Sequence, residues 1–262
     1  MREAEIGVIG MGADANPLDD CERVELETPY GKPSAAISIG EVDGKVVAFL
    51  PRRGEKRELP PPQIPYRANI WAMKELGVRR IVGAGVCGAL RMEYELGDFV
   101  AFDQFVDRTW GRVDSYYQGP GAKLVSEAEP FCVDLRHILV STARELDVPV
   151  HAGGTVVVIQ GPRFSTRAES ELFRMVGWDA VDMITYPECH LARELELCYA
   201  HLAMVTDYDI GVEGAGAVTG ATIARVSAQN LDRLLRLLRT ALPRIGPQPQ
   251  DECATALALA SI

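Results

Sequence analysis

Apolar residues recur along the chain with two periods, and the switching between them predicts the elements. Residues 6–9 form a short β-branched run that stops at Gly10, Met11 and Gly12, the pattern of a buried strand entering a turn. The stretch ISIGEVDGKVVAFLP predicts a hairpin, with Asp43 and Gly44 at its turn and 46–50 as the returning strand. The next segment, RRGEKRELPPPQIP, is polar, and Pro60, Pro61, Pro62 and Pro65 exclude a helix or a central strand there. Ile70, Met73 and Leu76 then restore a helical period over 66–77. Residues 79–84 predict a buried strand that ends in a small-residue turn at Gly83, Ala84 and Gly85. The helix-to-strand unit recurs: a helix over 131–146 before a strand over 155–160, a helix over 165–176 before a strand over 180–183, and a helix over 187–198 before a strand over 202–206. A last helix over 218–241 carries Leu231, Leu234, Leu235 and Leu238 on one face. This alternation predicts an α/β fold, a sandwich of helices around a mixed, mainly parallel twisted sheet. Residues 1–245 read as one domain, and 246–262 as a C-terminal tail.

Composition narrows the function classes. Hydrophobic residues make up 47% and charged residues 24%, enough apolar content for a large core and too much for a disordered chain. With 37 acidic against 27 basic residues the net charge is −10, which argues against nucleic acid or an anionic membrane as partner. No apolar run is long enough to span a bilayer, and MREAEIGVIG lacks the pattern of a signal peptide, so a cytoplasmic protein is expected. Cys21, Cys87, Cys132, Cys189, Cys198 and Cys253 form no CxxC pair. His137, His151, His190 and His201 show no metal-binding spacing either, so reduced thiols and no metal are expected.

In an open parallel sheet, ligands gather beyond the carboxyl ends of the strands. Here those ends fall at 10–13, 83–88, 160–165, 182–185 and 206–209. Asp207 and Asp209 stand two residues apart just after an apolar strand, placed to face one ligand together. A turn or a helix cap would use aspartates in the same place.

Several longer stretches carry a family likeness. YRANIWAMKELGVRRIV, GDFVAFDQFVDRTWGR, AEPFC, IQGPRFSTRAES, YPECHLARELELCYA and VTDYD together resemble the trimeric purine nucleoside phosphorylases, and within them the 5′-methylthioadenosine phosphorylases. The resemblance spans 6–241 and implies a three-layer nucleoside phosphorylase-like fold and a homotrimer whose sites borrow residues from a neighbouring subunit. It implies cleavage of the N-glycosidic bond of a purine nucleoside by phosphate, with no organic cofactor. The transition state is oxocarbenium-like, so the base must be met at N7, the ribose held, and an anion placed below the anomeric carbon.

By this resemblance Asp207 protonates or hydrogen-bonds N7, and Asp209 accepts from a 6-amino group. A carboxylate suits adenine, whereas a 6-oxo purine prefers an amide donor. Phe164 and Ser165 fall where the family contacts the base, although Phe164 also fits a core position. Met183 falls beneath the ribose.

The anion pocket departs from the family pattern. The first turn, Gly10-Met11-Gly12-Ala13, lacks a hydroxyl, and the family's Arg-His-Gly reads Arg52-Arg53-Gly54. The turn at Gly85-Val86-Cys87-Gly88-Ala89 also lacks hydroxyls, and Asn-Met-Thr reads Asp182-Met183-Ile184. Arg52 alone survives as a phosphate ligand. Each lost hydrogen bond to a charged group is worth about 1.5–3 kcal/mol. Asp182 brings a carboxylate toward the anomeric centre, where it would repel phosphate, hold a water, steady a cationic sugar, or simply bind ribose hydroxyls. The 5′ end departs as well, because 123–127 reads Lys-Leu-Val-Ser-Glu where the family has a histidine.

Three readings follow. The first is an enzyme that releases adenine from a 5′-modified adenosine with altered nucleophile handling, water included. In the second, an ordinary phosphate-dependent phosphorylase has rebuilt its anion site from Arg52, Arg53, Lys56 and Arg57. The third is a nucleoside-binding relative without catalysis.

Overall fold

The computed structural model describes residues 3–210, 217–247, 252–258 and 260. In chain order the elements are β1 (Ile6–Gly10), β2 (Cys21–Val24), β3 (Ile37–Val42), β4 (Lys45–Pro51), α1 (Tyr66–Glu75), β5 (Arg80–Ala89), β6 (Phe99–Ala101), β7 (Gln104–Arg108), α2 (Val133–Glu145), β8 (Val150–His151), β9 (Thr155–Ile159), α3 (Arg167–Val176), β10 (Ala180–Asp182), α4 (Thr185–Glu194), β11 (Cys198–Tyr208) and α5 (Gly220–Ala241).

The strands form one sheet in the order β2-β3-β4-β1-β5-β10-β9-β7, with β11 beside β5 and β6, and β8 beyond β6. Strand β5 is the hub. It pairs in parallel with β1 through 80–83 and with β11 through 80–89, and antiparallel with β10 at Gly88 and Ala89. The sheet is therefore mixed and mainly parallel, as the alternating pattern predicts. Helices α1 and α4 pack together on one face, and α2 and α5 on the other, which makes three layers. Strand alternation feeds both cores: Ile9 lies with Ile70 and Met73 of α1, while Ile6 and Val8 lie with Leu135 and Leu139 of α2 and Leu234 of α5.

Local chemistry sets several boundaries. Asp43 and Gly44 both have positive φ, 45° and 83°, the backbone of a tight hairpin turn between β3 and β4. Thr166 and Glu169 close a capping box at the start of α3. The proline-rich segment holds only a single 3₁₀ turn, Pro61–Gln63.

Three expectations change. Gly83-Ala84-Gly85 is not a turn, because pairing with β11 on its flank carries β5 straight on to Ala89. The α4 helix begins at Thr185 and ends at Glu194, so Cys198 opens β11 instead of closing a helix. The last helix starts at Gly220, with the Thr219 hydroxyl accepting from Thr222 N at 3.1 Å as its cap. Described parts of the tail lie against the body: Leu124 N donates to Ala260 O at 2.8 Å, and Leu257 N to Glu196 Oε1 at 3.1 Å. No helix among the described residues is long and apolar enough to cross a membrane.

Candidate functional site

A cavity of about 370 Å³ opens at the carboxyl ends of the central strands. Val86, Cys87 and Gly88 of β5, Ile159 of β9, Val181 and Asp182 of β10, and Thr206 and Asp207 of β11 line it, and the first turns of α5 cover one side. Phe164, Ser165, Met183 and Asp209 complete one end; Met11, Arg52, Arg53, Arg57 and Ile184 belong to the same wall.

Asp207 is aimed by an irregularity in β11. Val205 pairs with Cys87 and Asp207 with Gly88, so Thr206 is the extra residue of a β-bulge. In a regular strand Thr206 and Asp207 would face opposite sides; the bulge lets both line the cavity. The Thr206 hydroxyl donates to Asp207 Oδ2 at 2.9 Å. Burial pushes the Asp207 carboxyl up to about 6; the Thr206 bond opposes this and nearby Asp209 adds to it. Asp209 is held through its own N–H, which donates to Ala89 O at 2.9 Å. Burial raises its carboxyl too, against the pull of the Ser170 hydroxyl. The Ser165 hydroxyl also pulls the Asp209 carboxyl down, yet no well-formed hydrogen bond reaches Asp209 Oδ2 or Ser165 Oγ among the described residues, and both atoms are buried. Both are polar atoms that a ligand with matching groups would satisfy.

The anion positions are arranged differently from the expectation. Arg52 reaches the cavity but is only 1% exposed, and its guanidinium is largely committed. Nε and Nη2 grip Glu188 at 2.6 and 2.8 Å, Nη1 donates to Ala84 O at 2.7 Å, and Nη2 donates to Ile9 O at 3.0 Å. Its charge is matched by Glu188, whereas the resemblance implies an arginine that meets phosphate. Arg53 lines the cavity while its Nε donates to Leu59 O at 2.8 Å. Arg57 also lines it and forks onto Asp14 at 2.8 and 2.6 Å. Lys56 is exposed and does not line the cavity. Gly12 and Gly85 lie behind the wall, outside the lining. A Cβ at Gly12 would meet Arg57 Nε at 2.9 Å, and one at Gly85 would meet His201 Nε2 at 2.8 Å. Arg57 and His201 thus fill the space that a side chain at Gly12 or Gly85 would take. Asp182 accepts from Thr185 N and Oγ1 at 3.1 and 2.6 Å through Oδ2, and burial pushes its carboxyl up to about 6. None of residues 123–127 lines the cavity.

Glu188, Tyr199, His201 and Arg112 escaped the sequence reading. Glu188, Tyr199 and His201 are buried in a chain of polar contacts that starts at Arg52: Tyr199 Oη donates to Glu188 Oε1 at 2.6 Å and lies 3.0 Å from His201 Nδ1. The available signal was a histidine inside an apolar strand. Arg112 ties strand ends together below the cavity, donating to Gln160 O and Met183 O at 2.9 Å each. Away from the cavity, Cys132, Cys198 and Cys253 converge with their sulfur atoms within 4.8 Å of one another. They come from the start of α2, the start of β11 and the tail, so no sequence spacing reveals them.

The family model of the phosphorylase superfamily matches residues 6–243. The S-methyl-5′-thioadenosine phosphorylase of Thermofilum pendens is 46% identical over 259 residues, covering 98% of each chain. The purine nucleoside phosphorylase of Streptomyces coelicolor is 44% identical over 265 residues, covering 98% of this chain and 95% of the relative. Among solved structures, the methylthioadenosine phosphorylase of Schistosoma mansoni in complex with adenine superposes with a TM-score of 0.92 at 34% identity, over 98% and 96% of the two chains. A methylthioadenosine phosphorylase from an antarctic soil metagenomic library gives 0.94 at 37% identity, over 100% and 93%. With the mixed sheet and its strand-end cavity, these matches place the chain in the phosphorylase superfamily.

Proposed function

We propose that the protein releases adenine from 5′-methylthioadenosine, or a closely related 5′-modified adenosine, with inorganic phosphate as co-substrate and no organic cofactor. The observation that carries this reading is the pair of buried aspartates at the bulged end of β11, with Asp209 Oδ2 unpartnered. Asp209 Oδ2 accepts from the 6-amino group, Ser165 contacts the base edge, and Phe164 lies against the purine. Asp207 delivers a hydrogen bond or a proton to N7 as the glycosidic bond breaks, and a carboxyl poised near 6 suits that task close to neutral pH. Met183 packs beneath the ribose.

Relatives at 46% and 44% identity bear the names of phosphorylases. They favour phosphate over water as the nucleophile, reversing the order of preference from sequence. In this reading Arg53, which reaches the cavity and has no carboxylate partner among the described residues, supplies charge that Arg52, paired with Glu188, and Arg57, paired with Asp14, do not. The assembly is a homotrimer in the same reading. Trp110 is 73% exposed and Leu124 66%, large apolar side chains of the kind that a subunit interface covers. Sedimentation should then report three times the 28.6 kDa of one chain.

The test is product analysis by phosphorus NMR after incubation of 5′-methylthioadenosine with phosphate. Free adenine and a new sugar-1-phosphate resonance are expected. Adenine accompanied only by free sugar would reject phosphorolysis, and no turnover on any 5′-modified adenosine would favour the binding-only alternative.

A further inference from the structure

His201 is fully buried in β11, and its surroundings fix its tautomer. Glu188 is ion-paired with Arg52 and can only accept, so Tyr199 Oη spends its one hydrogen on Glu188 at 2.6 Å. The Tyr199 oxygen is then left to accept from His201 Nδ1 at 3.0 Å. Nδ1 therefore carries the imidazole hydrogen, and Nε2 is a bare lone pair. That lone pair has no hydrogen-bond partner among the described residues and lies 3.8 Å from Asp182 Oδ2. Asp182, 5% exposed and lining the cavity, has a second oxygen, Oδ1, that is also buried without a hydrogen-bond partner among the described residues.

The bare Nε2 and the carboxylate thus face each other across a gap too long for a hydrogen bond, while Oδ2 itself accepts from Thr185. Burial denies an ionised Asp182 its solvation and the imidazole presents it the negative end of a dipole, which outweighs the opposing pull of the Thr185 N–H and hydroxyl and of the Ile184 N–H. A proton resolves the conflict only on Asp182. His201 is held well below its ordinary pKa by burial and then by Arg52, so imidazolium is disfavoured. The other charged or titratable groups around the pair do not remove the conflict. Arg52, just after β4, is matched by Glu188 of α4. Arg112, after β7, spends its guanidinium on carbonyl oxygens, and its charge pulls the Asp182 carboxyl down by less than burial pushes it up. Cys87 of β5, Tyr66 of α1 and Tyr199 of β11 are themselves raised by burial, so they stay neutral, and Asp207 of β11 is a like charge when ionised.

We propose that Asp182 is the hydrogen-bond donor of the oxyanion site: it takes up one proton from solvent as the anion enters and presents its O–H to an anion oxygen, with His201 as the positioning residue whose bare Nε2 favours that uptake by disfavouring the carboxylate. The proposal rests on the phosphorolysis reading, because it assumes an oxyanion at this end of the cavity. It answers the loss of hydroxyls there. His201 occupies the space beside Gly85, and a protonated carboxyl supplies a donor where Thr or Ser hydroxyls are absent.

The test uses sulfate, which stays a dianion from pH 5 to 9, so that any pH dependence belongs to the protein. Calorimetric titrations in buffers of different ionisation enthalpy count the protons taken up. The wild type is expected to gain close to one proton per site above pH 7, and its sulfate affinity to weaken about tenfold per pH unit there. Asp182→Asn carries a neutral donor amide, so its sulfate affinity should be flat with pH and its proton uptake zero. His201→Leu should weaken sulfate binding at pH 7.5 in the Asp182 background, yet change it little in the Asp182→Asn background. The wild-type proton count needs no variant, so a misfolded His201→Leu leaves the test intact. Sulfate binding without proton uptake, or uptake that persists in Asp182→Asn, overturns the proposal even if adenine release requires phosphate. If sulfate fails to bind even at pH 5.5 and adenine release ignores phosphate, the phosphorolysis reading itself fails.

Discussion

A single methyl group at Gly88 should disable the site while leaving the fold standing. A Cβ there would stand 2.8 Å from Asp207 Oδ1 and 3.2 Å from Val181 Cγ1. Ordinary contact begins at 3.4 Å, so in Gly88→Ala the carboxylate must retreat by about 0.6 Å. It has little freedom to do so, because Asp207 is paired to Gly88 itself through the β5–β11 ladder and bound by the Thr206 hydroxyl at 2.9 Å. Misplacing a catalytic group by 1 Å costs on the order of 10²-fold in rate, so this shift should cost about 10- to 50-fold in kcat. Overpacking of this size costs about 1–3 kcal/mol, which an ordinary domain survives. The assay is the initial rate of adenine release from 5′-methylthioadenosine at saturating phosphate, with thermal unfolding measured alongside. Gly246→Ala, where a Cβ meets nothing within 4 Å, is the control. A Gly88→Ala enzyme with kcat within twofold of wild type would refute the placement of Asp207 as the group that meets N7.

Asp207→Asn should lower kcat by about 10²–10⁴-fold, since an amide donates a hydrogen bond but transfers no proton. Because the Asp207 carboxyl sits near 6, wild-type kcat at saturating phosphate should fall about tenfold per pH unit above that value, whereas the residual kcat of the variant should be flat; rates from pH 5 to 9, with phosphate kept saturating at each pH, check this. Arg52→Met should cost about 3–5 kcal/mol in urea unfolding by stranding the Glu188 charge, and Arg52→Met combined with Glu188→Leu should recover most of it. Asp182 holds its proton up to about pH 6 in the folded chain against about 3.8 unfolded, so ionising it lowers stability as pH rises through that window. Asp182→Asn should therefore match wild type near pH 4 and exceed it by about 2–3 kcal/mol at pH 8, and equal unfolding midpoints at pH 8 would contradict the burial argument.

Much of this was legible along the chain because it depends on local periodicity. The Asp43-Gly44 hairpin, the helix carrying Ile70 and Met73, and the strand ends at Asp182 and Asp207 all follow from short-range pattern, and they suffice to locate the cavity. What stayed hidden depends on long-range pairing. Gly83-Ala84-Gly85 has the composition of a turn, yet β11 holds it extended along its whole flank. The bulge at Thr206 exists only relative to Cys87 and Gly88 of another strand. Arg52 is a plausible anion ligand in sequence, and only the buried Glu188, far along the chain, reveals that its charge is already matched. His201 carries no motif, and its meaning comes from Tyr199, Gly85 and Asp182 meeting it in space.

The central claim is that phosphate is the nucleophile at a cavity built for an adenine nucleoside. It is tested most directly by the rate of adenine release from 5′-methylthioadenosine as phosphate is added to a rigorously phosphate-free solution. The account predicts a rate that rises from near zero and saturates with phosphate, with one sugar-1-phosphate formed per adenine. A rate that is already maximal without phosphate, yielding free sugar, would contradict it.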